Sequence, residues 1–417
     1  MKKIFYKIIL FFLLIIFISV STVYCDDIDD EIIDVNAELT SPENLEKTIK
    51  EPEINSRAYV VIDRNSNIVL YGKNENTKRK MASTTKIMTA IIIIENCNLK
   101  ETIEVSKKAA NTGGSRLGLK TGDKITIHDL LYGLMMRSGN DAAVALAEYA
   151  GGNIEGFASL MNQKASELGL YNTHFETPHG LDSDGHYTTA YELALLSNYA
   201  LKNETFKKIV STKNYSITIN GFPKELSNTN ELLGNLEGVY GIKTGFTNGA
   251  NRCLVSACKR NDMDIICVVL GADTKKFRTT DSIKLINYVF NNFKVVNIQK
   301  IIDDKFNNWK NENSNKFIIY KGIYNNIDLK LENLEHNSIP IRKDLINSLN
   351  EKISCNFYYE APVYKDTAIG KIQIMNNDKI IASSNIYINT NIEKKSTTYY
   401  FWYLLKNFSY TLQNNLI

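Results

Sequence analysis

The chain has little net charge, a formal +3 over 417 residues, and no basic stripe interleaved with aromatics, so the usual electrostatic footprint for nucleic acid is missing. Its six cysteines are scattered without metal-ligand spacing and are too sparse for the disulfide framework of a small secreted scaffold. They read as small buried hydrophobes, and no disulfide is expected. The one long apolar run, Ile8 to Val20, is short for a membrane span. What is present is globular: 44% hydrophobic and 23% charged residues, with length for more than one ordinary core. Two folded domains are expected.

Lys2, Lys3 and Lys7 precede the apolar run, and small or polar residues follow it up to Cys25. Residues 1–25 therefore read as a signal peptide or N-terminal anchor, which places the body outside the cytoplasm. Between Asp26 and Glu53 eleven acidic residues face two lysines, so 26–55 reads as a solvated acidic linker. Beyond Lys395, Tyr399, Tyr400, Phe401, Trp402 and Tyr403 lead into Leu404, Leu405, Phe408 and Leu412, spaced as one helical face. The span 396–417 reads as an amphipathic helix suited to a membrane interface, the bland alternative being a terminal helix packed on the domain before it.

Between these ends two textures alternate. Ala58 to Asp63 and Asn67 to Tyr71 form a hairpin signal, and Gly238 to Lys243, Arg252 to Cys258 and Asp264 to Leu270 form a meander, making five strands. From Ser83 to Ile94 the chain is apolar nearly all round, as in a buried helix. His128 to Met136 and Asp141 to Tyr149 read as helices broken at Arg137-Ser138-Gly139. Past Val296 come the short strand runs Phe317–Tyr320, Ile327–Leu331, Ile353–Tyr359 and Ile372–Met375. The expected domains are 56–293, mixed helix and strand, and 297–392, small and all-β.

Ser83-Thr84-Thr85-Lys86 places a hydroxyl and an amine three residues apart, on one face if helical. A buried lysine can then take the proton of a nucleophilic serine, and N–H groups at the start of a helix can face an oxyanion. A second match, Ser256-Ala257-Cys258-Lys259, lies in a strand run, where that spacing points to opposite faces. Ser138-Gly139-Asn140 falls between two helices, where Ser138 could pass a proton to a leaving amine and Asn140 hold a substrate amide. Ser348-Leu349-Asn350 and Ser383-Ser384-Asn385 match the same short pattern without that setting. Lys243-Thr244-Gly245 ends a strand, unlike its turn-like copy Lys120-Thr121-Gly122. Lys243 and Thr244 would hold a terminal carboxylate, Gly245 would let an extended peptide approach, and the Phe246 N–H would be the second oxyanion donor after that of Ser83.

These motifs, in this order, resemble the penicillin-recognising serine enzymes, which include β-lactamases and penicillin-binding proteins. The match is closest to the low-molecular-mass D-alanyl-D-alanine carboxypeptidases. It extends through Met81 to Thr89, Arg137 to Ala143, Pro178-His179-Gly180-Leu181 and Gly241 to Thr247. The resemblance implies an α+β fold: a β-lactamase/transpeptidase-like domain with a five-stranded antiparallel sheet and helices, followed by a small all-β domain. It implies removal of the terminal D-alanine from peptidoglycan stem peptides ending in D-Ala-D-Ala through an acyl-enzyme on Ser83, no metal or other cofactor, and covalent inhibition by β-lactam antibiotics. Gly139 replaces the Asp usual in class A β-lactamases, and no dedicated deacylating glutamate is evident. A β-lactamase, a DD-endopeptidase and a non-catalytic penicillin-binding sensor or scaffold remain the alternatives. His174, His179, His186, Asp182 and Asp184 match no zinc-helix spacing and read as a polar loop beside the site.

Overall fold

A computed structural model describes residues 50–324 and 327–414. The apolar run 1–25 and residues 26–49 of the acidic stretch lie outside the described residues. Two compact units divide the chain, one ending at Asn291 and the other beginning at Asn292.

The larger unit is built on a five-stranded antiparallel sheet. Its strands are β1 (Ala58–Asp63), β2 (Val69–Lys73), β7 (Val239–Thr247), β8 (Asn251–Arg260) and β9 (Met263–Ala272), in spatial order β2-β1-β9-β8-β7. All six residues of β1 are buried, and nearly all of β9, so the sheet is covered on both faces. The alternation sorts the side chains: Ala58, Val60 and Ile62 enter the main helical core, and Tyr59 on the other face stacks on Tyr71. Tyr71 in turn meets Tyr288 of the helix Lys275–Asn292 at a centroid distance of 4.7 Å. Four shorter strands intervene in sequence and form a separate sheet: β3 (Thr102–Glu104), β4 (Lys124–Thr126), β5 (Asn214–Ile219) and β6 (Phe222–Ser227). Three of these four are short or outwardly polar, which is why alternation in the sequence does not announce them.

Three helices carry or flank the expected chemistry. They are α1 (Lys86–Asn96), α2 (Ile127–Met136) and α3 (Asn140–Gly151). Residues 86 to 93 of α1 are all buried, as an all-round apolar pattern requires. Ser83, however, sits in a 3-10 turn, Ala82–Thr85, that leads into α1 rather than in the helix itself. Thr84 and Thr85 explain the tighter turn. Their hydroxyls donate back to the carbonyls of Met81 and Ala82 at 2.6 and 2.8 Å, competing with the α-helical pattern.

The smaller unit opens with a strand, Phe293–Asn297, that pairs with Ser338–Arg342, and continues into a helix, α4 (Ile298–Asn313), so it is not purely β. Ile298, Ile302 and Phe306 form its buried stripe at four-residue spacing. A four-stranded sheet follows, with order Leu329–Leu331, Lys379–Ile388, Ala368–Asn376, Leu349–Cys355. A parallel pair, Ile318–Tyr320 with Tyr358–Glu360, completes the expected strand runs. Ile372, Ile374, Ile386 and Ile388 are fully buried and fill its core. At the end stands α5 (Thr397–Asn414), whose rings from Tyr399 to Phe408 are exposed, with Trp402 67% exposed. Packing into a domain core therefore does not explain its aromatics. Among the described residues no helix is long and apolar enough to cross a membrane.

Candidate active site

The turn before α1 delivers Ser83 and Lys86 to one spot. Lys86 is fully buried, and its Nζ donates to Ser83 Oγ at 2.9 Å, to Asn140 Oδ1 at 2.7 Å and to the His179 carbonyl at 2.9 Å. All three are neutral acceptors on three different segments. Ser83 keeps 6% exposure.

Asn140 begins α3, directly after the break that ends α2. Its Nδ2 donates to Gly113 O at 2.7 Å, leaving one amide hydrogen, and its backbone N–H donates to Ser115 O at 2.8 Å. The loop it binds is held by Asp141, whose buried carboxylate accepts from the N–H groups of Leu117, Gly118 and Leu119 at 2.8, 2.8 and 3.0 Å. Asp141 was not singled out in the sequence. An acidic residue in the first helical turn was the available signal. Ser138, in the break, has φ of +58°, a left-handed conformation unusual outside glycine, and is 1% exposed. Its Oγ has no hydrogen-bond partner, unlike most buried hydroxyls.

The third expected segment is the second half of β7. Lys243 is 1% exposed and donates from Nζ to Thr244 O at 3.0 Å, and the Thr244 and Thr229 hydroxyls are 2.9 Å apart. Gly245 lies against the nucleophile turn. A Cβ there would stand 3.1 Å from Ser83 N and 3.2 Å from Met81 O, so only a glycine leaves the N–H of Ser83 unobstructed. Phe246 is half-buried with the Arg252 guanidinium 3.7 Å from its ring centroid. Gly245→Val should therefore cut acylation of Ser83 at least about 10-fold and cost about 1–3 kcal/mol of stability. Acylation kinetics with a chromogenic β-lactam and a urea titration would measure both, and a variant with native kinetics would remove the close approach from the account.

The look-alike motifs separate physically. Ser256 is fully buried on β8 while Lys259, on the same strand, points to solvent. Lys120, Thr121 and Gly122 occupy an exposed turn. The polar loop lies directly on the Ser83 turn. Pro178 O accepts from Thr89 Oγ1 at 2.6 Å, and Asp182 reaches across to the end of β7, accepting from Thr247 Oγ1 at 2.6 Å and Gly249 N at 2.8 Å. Among the described residues no group of three His, Cys, Asp or Glu side chains is arranged to hold a metal. A groove of about 550 Å³ lined by Lys100, Thr126, His128 and Tyr132 lies toward the start of α2, the end away from Ser138.

Burial drives His179 down to about 3, with Lys86 adding repulsion, and drives His186 down to about 4. Both rings are neutral in the fold, whereas in the unfolded chain they take up protons near pH 6.5. The unfolded state then binds more protons as pH falls below about 6.5, so stability should fall on acidification until the folded-state values are reached. Between pH 7 and 5.5 the two histidines should cost roughly 2 kcal/mol together. Urea midpoints at the two pH values check this, and an unchanged midpoint would contradict it.

Sequence comparison decides the family. The family model of D-alanyl-D-alanine carboxypeptidase matches residues 45–274, and that of the penicillin-binding protein 5 C-terminal domain matches 310–394. The chain belongs to the D-alanyl-D-alanine carboxypeptidase family. It is 33% identical to D-alanyl-D-alanine carboxypeptidase DacF of Bacillus subtilis over 346 residues, 81% of this chain and 86% of the relative. The crystal structure of the carboxypeptidase DacD from Francisella tularensis superposes with a TM-score of 0.68 at 27% identity, covering 88% of this chain and all of that one. The Streptomyces K15 DD-transpeptidase gives a TM-score of 0.56 at 35% identity over 58% of this chain and all of its own.

Proposed function

We propose that this protein removes the terminal D-alanine of peptidoglycan stem peptides ending in D-Ala-D-Ala, by way of an acyl-enzyme on Ser83. The observation that carries this is the contact of the fully buried Lys86 with Ser83 Oγ at 2.9 Å, fixed from behind by Asn140 and His179. Burial is the condition under which an amine works as a base at neutral pH. Lys86 accepts the Ser83 proton while Oγ attacks the scissile carbonyl. The oxyanion lies between the N–H groups of Ser83 and Phe246. Ser138, whose hydroxyl is unoccupied in the fold, passes a proton to the departing D-alanine amine. Water then attacks the ester carbonyl and Ser83 recovers its proton. Lys243 and Thr244 hold the substrate's terminal carboxylate, the free amide hydrogen of Asn140 meets a substrate carbonyl, and Gly245 lets the peptide lie along β7. A β-lactam enters by the same route, opens on Ser83 and blocks the site.

Residues 56–293 are assigned to catalysis and 297–392 to a non-catalytic module. The apolar run near the N-terminus supports export, and the outward rings of α5 support attachment at the membrane surface, since Trp and Tyr settle among lipid headgroups. Co-sedimentation with anionic vesicles, compared before and after removal of 396–417, tests that attachment.

The direct test of the activity is to incubate the full chain with a diacylated L-Lys-D-Ala-D-Ala peptide, with and without glycine as an acceptor amine. Free D-alanine should be released, and prior exposure to penicillin should abolish it. Protein that is acylated by penicillin yet releases no D-alanine would contradict the proposal.

A further inference from the structure

Three hydrogen bonds run in series from the polar loop to the peptide unit ahead of the nucleophile. His186 is 1% exposed, and its Nδ1 accepts from the Glu176 N–H at 3.0 Å, with the Thr177 N–H at 3.4 Å. A ring nitrogen that accepts carries no hydrogen, so the neutral imidazole keeps its hydrogen on Nε2. Nε2 stands 2.7 Å from Thr85 Oγ1 and therefore donates to it. The hydroxyl has a single hydrogen, and it goes to the Ala82 carbonyl at 2.8 Å.

Ala82 C=O and Ser83 N–H belong to one planar peptide unit, so whatever aims the carbonyl aims the N–H in the opposite direction. That orientation is not one an alanine adopts readily, because Ala82 has φ of +49°. The same carbonyl is pressed by Gly180, where a Cβ would come within 1.9 Å of it. A chain of hydrogen bonds ending on a carbonyl also polarises its peptide and strengthens the N–H as a donor.

We propose that His186, acting through Thr85, is a positioning residue that orients the Ser83 N–H toward the oxyanion. The inference rests on the reading of Ser83 as nucleophile and oxyanion donor, and it adds two side chains that touch neither substrate nor the attacking oxygen.

Saturation kinetics of acylation by a fluorescent penicillin separate the pre-covalent dissociation constant from the acylation rate constant. H186F and T85V should lower the rate constant about 10- to 100-fold, part of what losing a whole oxyanion donor costs, with the dissociation constant within about 2-fold of wild type. H186Q should stay within about 3-fold, because an amide oxygen and N–H can replace the ring's acceptor and donor, and T85S should do the same because it retains the hydroxyl. A folded H186F with native acylation, an H186Q as slow as H186F, or a loss confined to the dissociation constant would overturn the proposal. If H186F lacks a cooperative unfolding transition, T85V decides by the same criteria. Wild-type protein that takes no label on Ser83 would instead refute the catalytic reading, whatever His186 does.

Discussion

Ser83→Ala should lower D-alanine release on the order of 10⁴-fold or more while the protein stays folded. The substitution removes one oxygen and no apolar packing, since among the described residues the hydroxyl accepts from Lys86 and bonds to no other segment. The thermal midpoint should therefore stay within a few degrees of wild type. Binding of uncleaved peptide should persist, because Lys243 and Thr244 are untouched, so the loss belongs to turnover and not to affinity. Activity within tenfold of wild type would show that another hydroxyl does the work. The control is Lys259→Ala: that amine stands in solvent on β8 and its replacement should leave catalysis unchanged.

Lys86→Ala should be nearly as severe, roughly 10³- to 10⁴-fold in acylation, and should differ from Ser83→Ala in stability. The amine is the junction of three segments, and its removal leaves Asn140 Oδ1 and the His179 carbonyl without that donor inside the protein. Each buried acceptor left unpaired costs about 1–3 kcal/mol. A calorimetric scan would show whether the midpoint drops for Lys86→Ala and not for Ser83→Ala. Native acylation in Lys86→Ala would remove the lysine from the proton path, and an unchanged midpoint would deny it the joining role.

What the sequence made legible was the chemistry with short-range spacing. A hydroxyl and an amine three residues apart, inside an apolar run, specify one helical face, and Ser83 and Lys86 do touch. The same spacing on β8 sends Ser256 and Lys259 to opposite sides, so local context separates the two. The strands of the central sheet were legible because β1, β8 and β9 are continuous apolar runs bounded by turn residues. Less could be read where long-range packing decides. Nothing local says that Asp141 collects three N–H groups from Leu117 to Leu119, or that His186 reaches Thr85 across a hundred residues. The left-handed backbone at Ala82 and Ser138 is imposed by neighbours, against the preference of both residues. The helix α4 was available in the spacing of Ile298, Ile302 and Phe306, but its mean polarity hides a narrow stripe.

The most direct test of the central claim is to treat the protein with a fluorescent penicillin, digest it and locate the label by mass spectrometry. The account predicts label on the peptide that carries Ser83. Label on the peptide carrying Ser138 or Ser256, or folded protein that takes none, would contradict it.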